Sequence, residues 1–245
     1  MFSMEDWELN LLKIDNHNDV TSRLRHYYKF IKEKADTIEG DILEFGVFQG
    51  HSLLATALIL KNIGSKKIVW GFDSFEGFPA INSKDHLDRF FDSPNFSEAF
   101  KEKIKRFLDL KSKFEPFKSV RDVSSSVDFS DTSLASLEAR ISHLGLENIR
   151  LIKGPFDQTL KTIGAQIGKV FACNIDCDLY EGYLDALNFL EPRIVKEGFV
   201  HLDEYYSFKF PGAKLAVDEF LKNSKLQLEQ LPSEPTEFER WCLRR

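Results

Sequence analysis

Cysteine is scarce: Cys173, Cys177 and Cys242 are the only three in 245 residues. An odd number without CxxC spacing suggests neither a disulfide framework nor a thiolate zinc site, and a reducing cytoplasm is the expected compartment. No apolar run reaches the roughly 18 residues of a membrane span, so no membrane partner is expected. Met1 to Asn10 carries Glu5, Asp6 and Glu8 and no basic stretch, which is not the pattern of a secretory signal. Excess positive charge is also missing. Lys and Arg total 33 against 39 Asp and Glu, a net charge of −6, which disfavours a general nucleic-acid binder. Neither GxGxxG nor GxxxxGK[ST] occurs, so a dinucleotide turn and a P-loop are both disfavoured. Internal repeats, low-complexity tracts and long Gly/Ser/Pro linkers are absent as well.

What the chain does have is phenylalanine. There are 23 Phe against 6 Tyr and 3 Trp, and eleven of them lie between Phe72 and Phe129. Hydrophobic residues make up 42% and charged residues 29%, the balance of a globular protein. A chain of this length buries a core without covalent staples.

The first forty residues read as helical, with Leu24, Tyr27, Tyr28 and Ile31 at helical spacing. From Asp41 the pattern becomes strand, glycine turn, helix, strand: Ile42 to Phe45, a helix from Ser52 to Asn62, then Ile68 to Phe72. That is a βαβ unit, which implies a parallel sheet. The rhythm resumes with a strand at Ile149 to Ile152, a turn and helix over Gly154 to Ile167, and a strand at Val170 to Ile175. A helix from Tyr180 to Ile194, a strand at Phe199 to Leu202 and a helix from Gly212 to Leu221 follow. Leu226 to Leu231 and Phe238 to Leu243 alternate as a terminal antiparallel pair. Near-continuous apolar strands alternating with helices predict an α/β fold, a mostly parallel doubly wound sheet covered on both faces. One domain over 1–245 is expected, with a helical segment at 1–40.

The stretch 79–131 interrupts this rhythm. It is Phe-rich and reads as helical pieces, and between Asn82 and Arg121 it holds ten Lys/Arg against seven Asp/Glu. Insertions this long are usually lids or binding elements. An apolar lid with a basic rim is expected, in which Phe90 and Phe91 serve the acceptor and the lysines attract a phosphorylated or nucleotide-linked group.

Ligands of open α/β sheets bind at the carboxyl ends of the strands. The first such turn is Glu44-Phe45-Gly46-Val47-Phe48-Gln49-Gly50-His51-Ser52, where Gly46 and Gly50 allow close backbone approach or simply tight packing. Asp73 ends the second strand, where an acid can accept bonds from both ribose hydroxyls; a turn or cap is its plain alternative. Asp176-Cys177-Asp178 follows the fourth strand and Asp203-Glu204 the fifth. If those strands are neighbours, four carboxylates converge. Such a group repels itself unless protonated or paired with a cation, and oxygen donors suit a hard ion such as Mg²⁺. Capping and solvation of helix starts is the competing reading.

Taken in order, GDILEFGVFQGHS, GFDSFEGFP, GPFDQTL, IDCDLYEGYLDALNFLEPRIVKEGFVHLDEY and GAKLAVDEF resemble the macrocin O-methyltransferase family, over roughly Asp41 to Phe220. The resemblance implies a Rossmann-like class I methyltransferase fold and an S-adenosylmethionine-dependent enzyme that methylates a sugar hydroxyl. It implies that Glu44, Gly46, Gly50 and Ser52 line the methionine side of the cofactor. Asp73 would hold the ribose with Ser74 beside it, and Gly154 and Phe156 would lie near the adenine. Asp176, Asp203 and Glu204 would hold a divalent metal, with Asp178 as general base. Glu204 departs from the family's usual Asp, and its extra methylene alters how it reaches a metal. A homo-oligomer, with a dimer favoured, is also implied, and Leu24, Tyr27, Tyr28 and Ile31 are candidates for a partner interface or for packing on their own domain.

The remaining polar residues carry less. His51 reads as a surface histidine at a helix start, His201 as a satisfied core histidine, and His86 as a weak acceptor contact. Cys177 lies between two acids, which disfavours a thiolate nucleophile. Tyr180, Tyr205 and Tyr206 flank the acidic loops, as pocket or as packing. A small-molecule acceptor, glycosylated or phosphorylated, is the expected partner. A catechol-like acceptor is a close variant, and a non-catalytic cofactor binder is the alternative outside enzymes. A dehydrogenase would need the missing GxGxxG turn.

Overall fold

The computed structural model describes residues 4–79, 81–114 and 129–245. Parts of the 79–131 stretch, residue 80 and residues 115–128, therefore lie outside the described residues, as do residues 1–3 at the start. In chain order the strands are β1 (Asp41–Phe45), β2 (Val69–Asp73), β3 (Ile149–Lys153), β4 (Val170–Ile175), β5 (Ile194–Leu202), β6 (Gln227–Leu231) and β7 (Arg240–Arg244). The helices are α1 (Asp6–Leu11), α2 (Arg25–Lys34), α3 (His51–Asn62), α4 (Arg89–Asp92), α5 (Glu98–Phe114), α6 (Leu134–His143), α7 (Phe156–Ile163), α8 (Tyr180–Leu190) and α9 (Pro211–Leu221).

One seven-stranded sheet has the order β3-β2-β1-β4-β5-β7-β6. The pairs among β1 to β5 are parallel, and β7 runs antiparallel to both β5 and β6. The doubly wound sheet and its terminal antiparallel pair are as expected, with β7 inserted between β5 and β6. Strand order reverses between β1 and β4, which places the crevice for a ligand at their carboxyl ends.

Period-two alternation divides the core. Ile42, Ala172 and Phe199 face α2, α3 and α6, while Leu43, Cys173 and Val200 face α8 and α9. β4 is buried at all six positions, which is why it reads as an unbroken apolar run. Nine of the twelve α3 residues are buried, Ser52 to Leu60, so α3 has little polar face.

Three details differ from the sequence reading. The expected helix from Tyr180 to Ile194 ends at Leu190, because Pro192 has no N–H to continue the helical ladder, and Ile194 already belongs to β5. Helix α6 falls in a stretch left unassigned; Leu134, Leu137 and Ile141 sit at helical spacing, and the Ser133 hydroxyl caps it by accepting from Ser136 N at 3.2 Å. The first forty residues hold two helices joined by turns rather than a continuous helical run. Leu24, Tyr27, Tyr28 and Ile31 are each 0% exposed inside their own core, which removes them from any partner interface.

The described part of the insertion forms a satellite core. Leu87, Phe90, Phe96 and Ile104 are buried together, with Phe91, Phe100 and Leu108 around them and Phe208 and Leu215 beneath. It is clamped to the sheet domain by Asp85, whose Oδ1 accepts from Tyr180 N at 2.8 Å at the start of α8. No described helix is long and apolar enough to cross a membrane.

Candidate active site

A cavity of about 760 Å³ opens at the carboxyl ends of β1, β2, β4 and β5. That volume suits a small-molecule site. Gly46, Ser52, Asp73, Ser74, Gly154, Phe156, Asp176, Asp178, Asp203 and Glu204 all lie in its wall. Glu44 and Gly50 do not. Glu44 is 0% exposed beneath the floor, where Ser52 Oγ donates to its Oε1 at 2.7 Å. Glu44 thus supports Ser52 from beneath and does not itself line the cavity. The open side of Gly50 faces Leu137, and its φ of +90° supports the start of α3.

Gly46 is fixed by a close approach. A Cβ there would lie 1.8 Å from the Asp176 carbonyl oxygen, at a φ of +87°. Asp73 organises the two loops that meet beside it. Its Oδ2 accepts from Val47 N at 2.7 Å and Phe48 N at 2.8 Å, and its Oδ1 accepts from Phe75 N at 2.6 Å. An ionised carboxylate has about four lone-pair sites, so these bonds leave some capacity facing the cavity. Ser74 Oγ donates to the Gly77 carbonyl at 2.7 Å. Gly154 N donates to the Asp73 carbonyl at 2.9 Å, which ties the β3 turn to the β2 turn. Phe156 stands edge-on to Phe45, 5.3 Å between ring centres.

Sheet alternation also decides where the acids point. Glu44, Asn174 and His201 sit side by side in register on the face of α2 and α3. Two residues further on, Asp176 and Asp203 project from the same face, while Glu204 turns toward α8. There the Tyr183 hydroxyl donates to Glu204 Oε2 at 2.6 Å and accepts from Glu204 N at 3.1 Å. On the other side Arg23 bridges the two aspartates: Nη2 donates to Asp176 Oδ2 at 2.8 Å and Nη1 donates to Asp203 Oδ2. The row behind them is poorly satisfied by protein atoms. Glu44 Oε2, both Asn174 side-chain atoms, both His201 nitrogens and Asp203 Oδ1 are buried without a hydrogen-bond partner. His201 Nε2 lies 3.5 Å from Asp203 Oδ1, too far for a good hydrogen bond. His201 is a core residue, as expected, but not a satisfied one.

These surroundings separate the carboxyl groups. Burial is the largest single influence on Asp203 and works to raise it, but Arg23, His201 and Glu204 together outweigh burial and hold Asp203 below the usual carboxylate range. Burial raises Asp176 despite Arg23. Burial, then the Asp176 and Asp203 charges, pushes Asp178 and Glu204 well above that range. Asp178 also adopts a φ of +63°, a strained left-handed conformation of the kind found at functional sites.

Asp176, Asp203 and Glu204 each offer an oxygen, and the three lie within 4.8 Å of one another. With Asp203 Oδ1 lacking a partner, this donor set fits a hard divalent cation. Oxygen-only donors do not favour zinc.

The far wall of the cavity is aromatic and comes mostly from outside the insertion. Tyr206, Phe208 and Phe210 from the β5–α9 loop and Phe238 before β7 line it with Phe78 and Phe129. Phe90 and Phe91 are not in the wall, which corrects the expectation that they serve the acceptor: they fill the satellite core instead. Many lysines of the described insertion already have partners. Lys84 bonds Glu219 at 3.0 Å, Lys101 bonds Glu98 at 2.9 Å and Lys103 reaches the Tyr206 hydroxyl at 2.8 Å. The cations in the wall are Arg23, Lys209 and Arg240. Of the residues weighed separately, half-buried His51, Cys177 and Tyr206 line the cavity, whereas His86, Tyr180 and Tyr205 do not. Burial pushes the Cys177 thiol up, away from nucleophilic use. Arg23 and Tyr183 were not foreseen. Arg23 lies in a polar turn with no motif around it, and Tyr183 reads as one more apolar position of α8.

Comparison with known proteins places this arrangement among relatives. A family model described as macrocin-O-methyltransferase (TylF) matches residues 20–124 and 120–231. The mycinamicin III 3''-O-methyltransferase of Micromonospora griseorubida is 29% identical over 189 residues, 76% of this chain and 61% of the relative. The 8-demethyl-8-(2,3-dimethoxy-alpha-L-rhamnosyl)-tetracenomycin-C 4'-O-methyltransferase of Streptomyces olivaceus is 29% identical over 174 residues, 70% of this chain and 55% of the relative. The match thus spans about three-fifths of the length of these relatives. Among solved structures, the O-methyltransferase NovP shares the fold, with a TM-score of 0.63 at 22% identity over 94% of this chain and 83% of that one. With the matched segments running through every strand of the parallel sheet and both acidic loops, the chain belongs to the macrocin O-methyltransferase family.

Proposed function

We propose that this chain transfers a methyl group from S-adenosylmethionine to a hydroxyl of a sugar or glycoside, with a divalent cation such as Mg²⁺ and Asp178 as general base. The observation that carries the reading is the convergence of four carboxylates, Asp176, Asp178, Asp203 and Glu204, in one cavity with the glycine turn after β1. Family membership supports the cofactor and the reaction class.

When bound, S-adenosylmethionine supplies an electrophilic sulfonium methyl, and the chain must supply a nucleophile and its alignment. Gly46 and Ser52 would hold the methionine part, Asp73 and Ser74 the ribose, and Gly154 and Phe156 the adenine side. Asp176, Asp203 and Glu204 would hold the cation. When bound, that cation supplies positive charge that stabilises a developing alkoxide and draws Asp178 toward its ionised form. Asp178 Oδ takes the proton of the attacking hydroxyl, and burial beside the Asp176 and Asp203 charges raises its affinity for that proton. Tyr183 fixes Glu204 from behind. Tyr206, Phe208, Phe210 and Phe238 exclude water and offer faces to an apolar aglycone, which favours a glycoside over a free sugar.

The test is transfer of labelled methyl from S-adenosylmethionine across a panel of glycosides. Wild type is expected to label a glycoside hydroxyl. Asp178→Asn is expected to retain S-adenosylhomocysteine binding and to lose turnover by about 10²-fold or more. Comparable turnover in that variant removes Asp178 from the base role.

A further inference from the structure

Arg23 bonds one oxygen on each of two carboxylates that a divalent cation would need. It bonds Asp176 Oδ2 and Asp203 Oδ2, and Asp176 and Asp203 are two of the three carboxylates whose oxygens gather within 4.8 Å. A guanidinium bonds two carboxylates through its planar fork, whereas a hard cation must take their lone pairs directly at roughly 2.0–2.6 Å. Each aspartate keeps a second oxygen, but two positive groups drawn to the same pair of carboxylates repel each other.

We propose that Arg23 and a divalent cation exclude one another at Asp176 and Asp203, so that Arg23 is a tethered cation that occupies the metal position and sets its affinity. This rests on the metal reading above. Three observations support it. First, the aspartates are enclosed, with side chains 19% and 12% exposed, while the Arg23 side chain is 43% exposed and has a route to solvent. Second, Arg23 directly precedes Leu24, whose side chain is fully buried, so the backbone is anchored and departure requires only side-chain rotation. Third, Glu204 is engaged by Tyr183 rather than by Arg23, leaving one metal donor in place whichever cation is present.

The consequence is a positioning role. In the metal-free chain Arg23 keeps Asp176 and Asp203 from repelling each other and preserves their geometry. Metal binding must first break both ion pairs, which lowers apparent affinity and prevents weakly held ions from persisting.

The test measures Mn²⁺ binding to the purified full chain by electron paramagnetic resonance of free Mn²⁺, for wild type, Arg23→Gln and Arg23→Lys. Circular dichroism and S-adenosylhomocysteine binding check the fold. Arg23→Gln is expected to bind Mn²⁺ at least about ten-fold tighter than wild type. Arg23→Lys, a point charge without the fork, is expected to fall between them and serves alone if the Gln variant does not fold. In EDTA the Gln variant is expected to melt below wild type, and Mn²⁺ should raise its melting temperature by more. Equal or weaker Mn²⁺ binding by both variants, with wild type binding, overturns mutual exclusion alone. No Mn²⁺ binding by any of the three overturns the metal reading and this proposal with it.

Discussion

Glu44 gives the prediction most completely determined by the structure. It sits in the middle of the sheet, 0% exposed, with one oxygen bonded by Ser52 and the other without a partner. Burial raises its pKa from 4.5 to about 8, opposed by the Ser52 bond and assisted by Asp176. The folded state therefore binds a proton that the unfolded state releases above pH 4.5. Stability from this group is complete below pH 4.5 and falls as pH rises toward 8. At 1.36 kcal/mol per pKa unit, the full shift corresponds to about 5 kcal/mol. Roughly 1 kcal/mol of that is lost by pH 5 and about 3 kcal/mol by pH 7. Glu44→Gln keeps an acceptor for Ser52 and cannot ionise. Urea denaturation of both proteins at intervals from pH 5 to pH 8 gives the difference profile, in which the neighbouring carboxyl groups largely cancel. Glu44→Gln is expected to gain about 2–3 kcal/mol on wild type between pH 5 and pH 7. Parallel profiles would falsify the assignment of a proton to Glu44.

Other expectations follow from packing and backbone. Phe90→Ala should cost about 3–5 kcal/mol of stability, because Phe90 is fully buried in the satellite core. Its cofactor affinity by calorimetry should be unchanged; a selective loss of acceptor binding without destabilisation would return Phe90 to the cavity. Gly46→Ala forces a Cβ into the Asp176 carbonyl, so S-adenosylhomocysteine binding should weaken by about ten-fold or more. Unchanged affinity would mean that the β1 turn moves aside at little cost.

The parallel sheet was legible because its strands are short, apolar and alternate with helices, a βαβ rhythm; the strand order was not read from the sequence and comes from the structure. Asp73, Asp176, Asp178, Asp203 and Glu204 were legible because acids immediately after apolar strands have one place to go. The side-chain partners were not. Arg23 reaches Asp176 and Asp203 across 153 and 180 residues of sequence, and only strand register and period-two facing bring them together. The Phe-rich insertion misled for a related reason. Apolar residues at helical spacing signal burial without saying in which core, and here Phe90 and Phe96 found one another. The aromatic wall came from Phe208 and Phe210, in a loop with no periodic signal, and from Phe238, read as the first residue of the last strand, which starts only at Arg240.

The proposed function stands or falls on cofactor binding in the cavity at the ends of β1, β2 and β4. Amide hydrogen exchange with and without S-adenosylhomocysteine tests it most directly. Saturable slowing of exchange is expected in residues 46–52, 73–78, 153–157 and 176–182, with no such effect from NAD. Absence of binding, or protection confined to residues elsewhere, contradicts it.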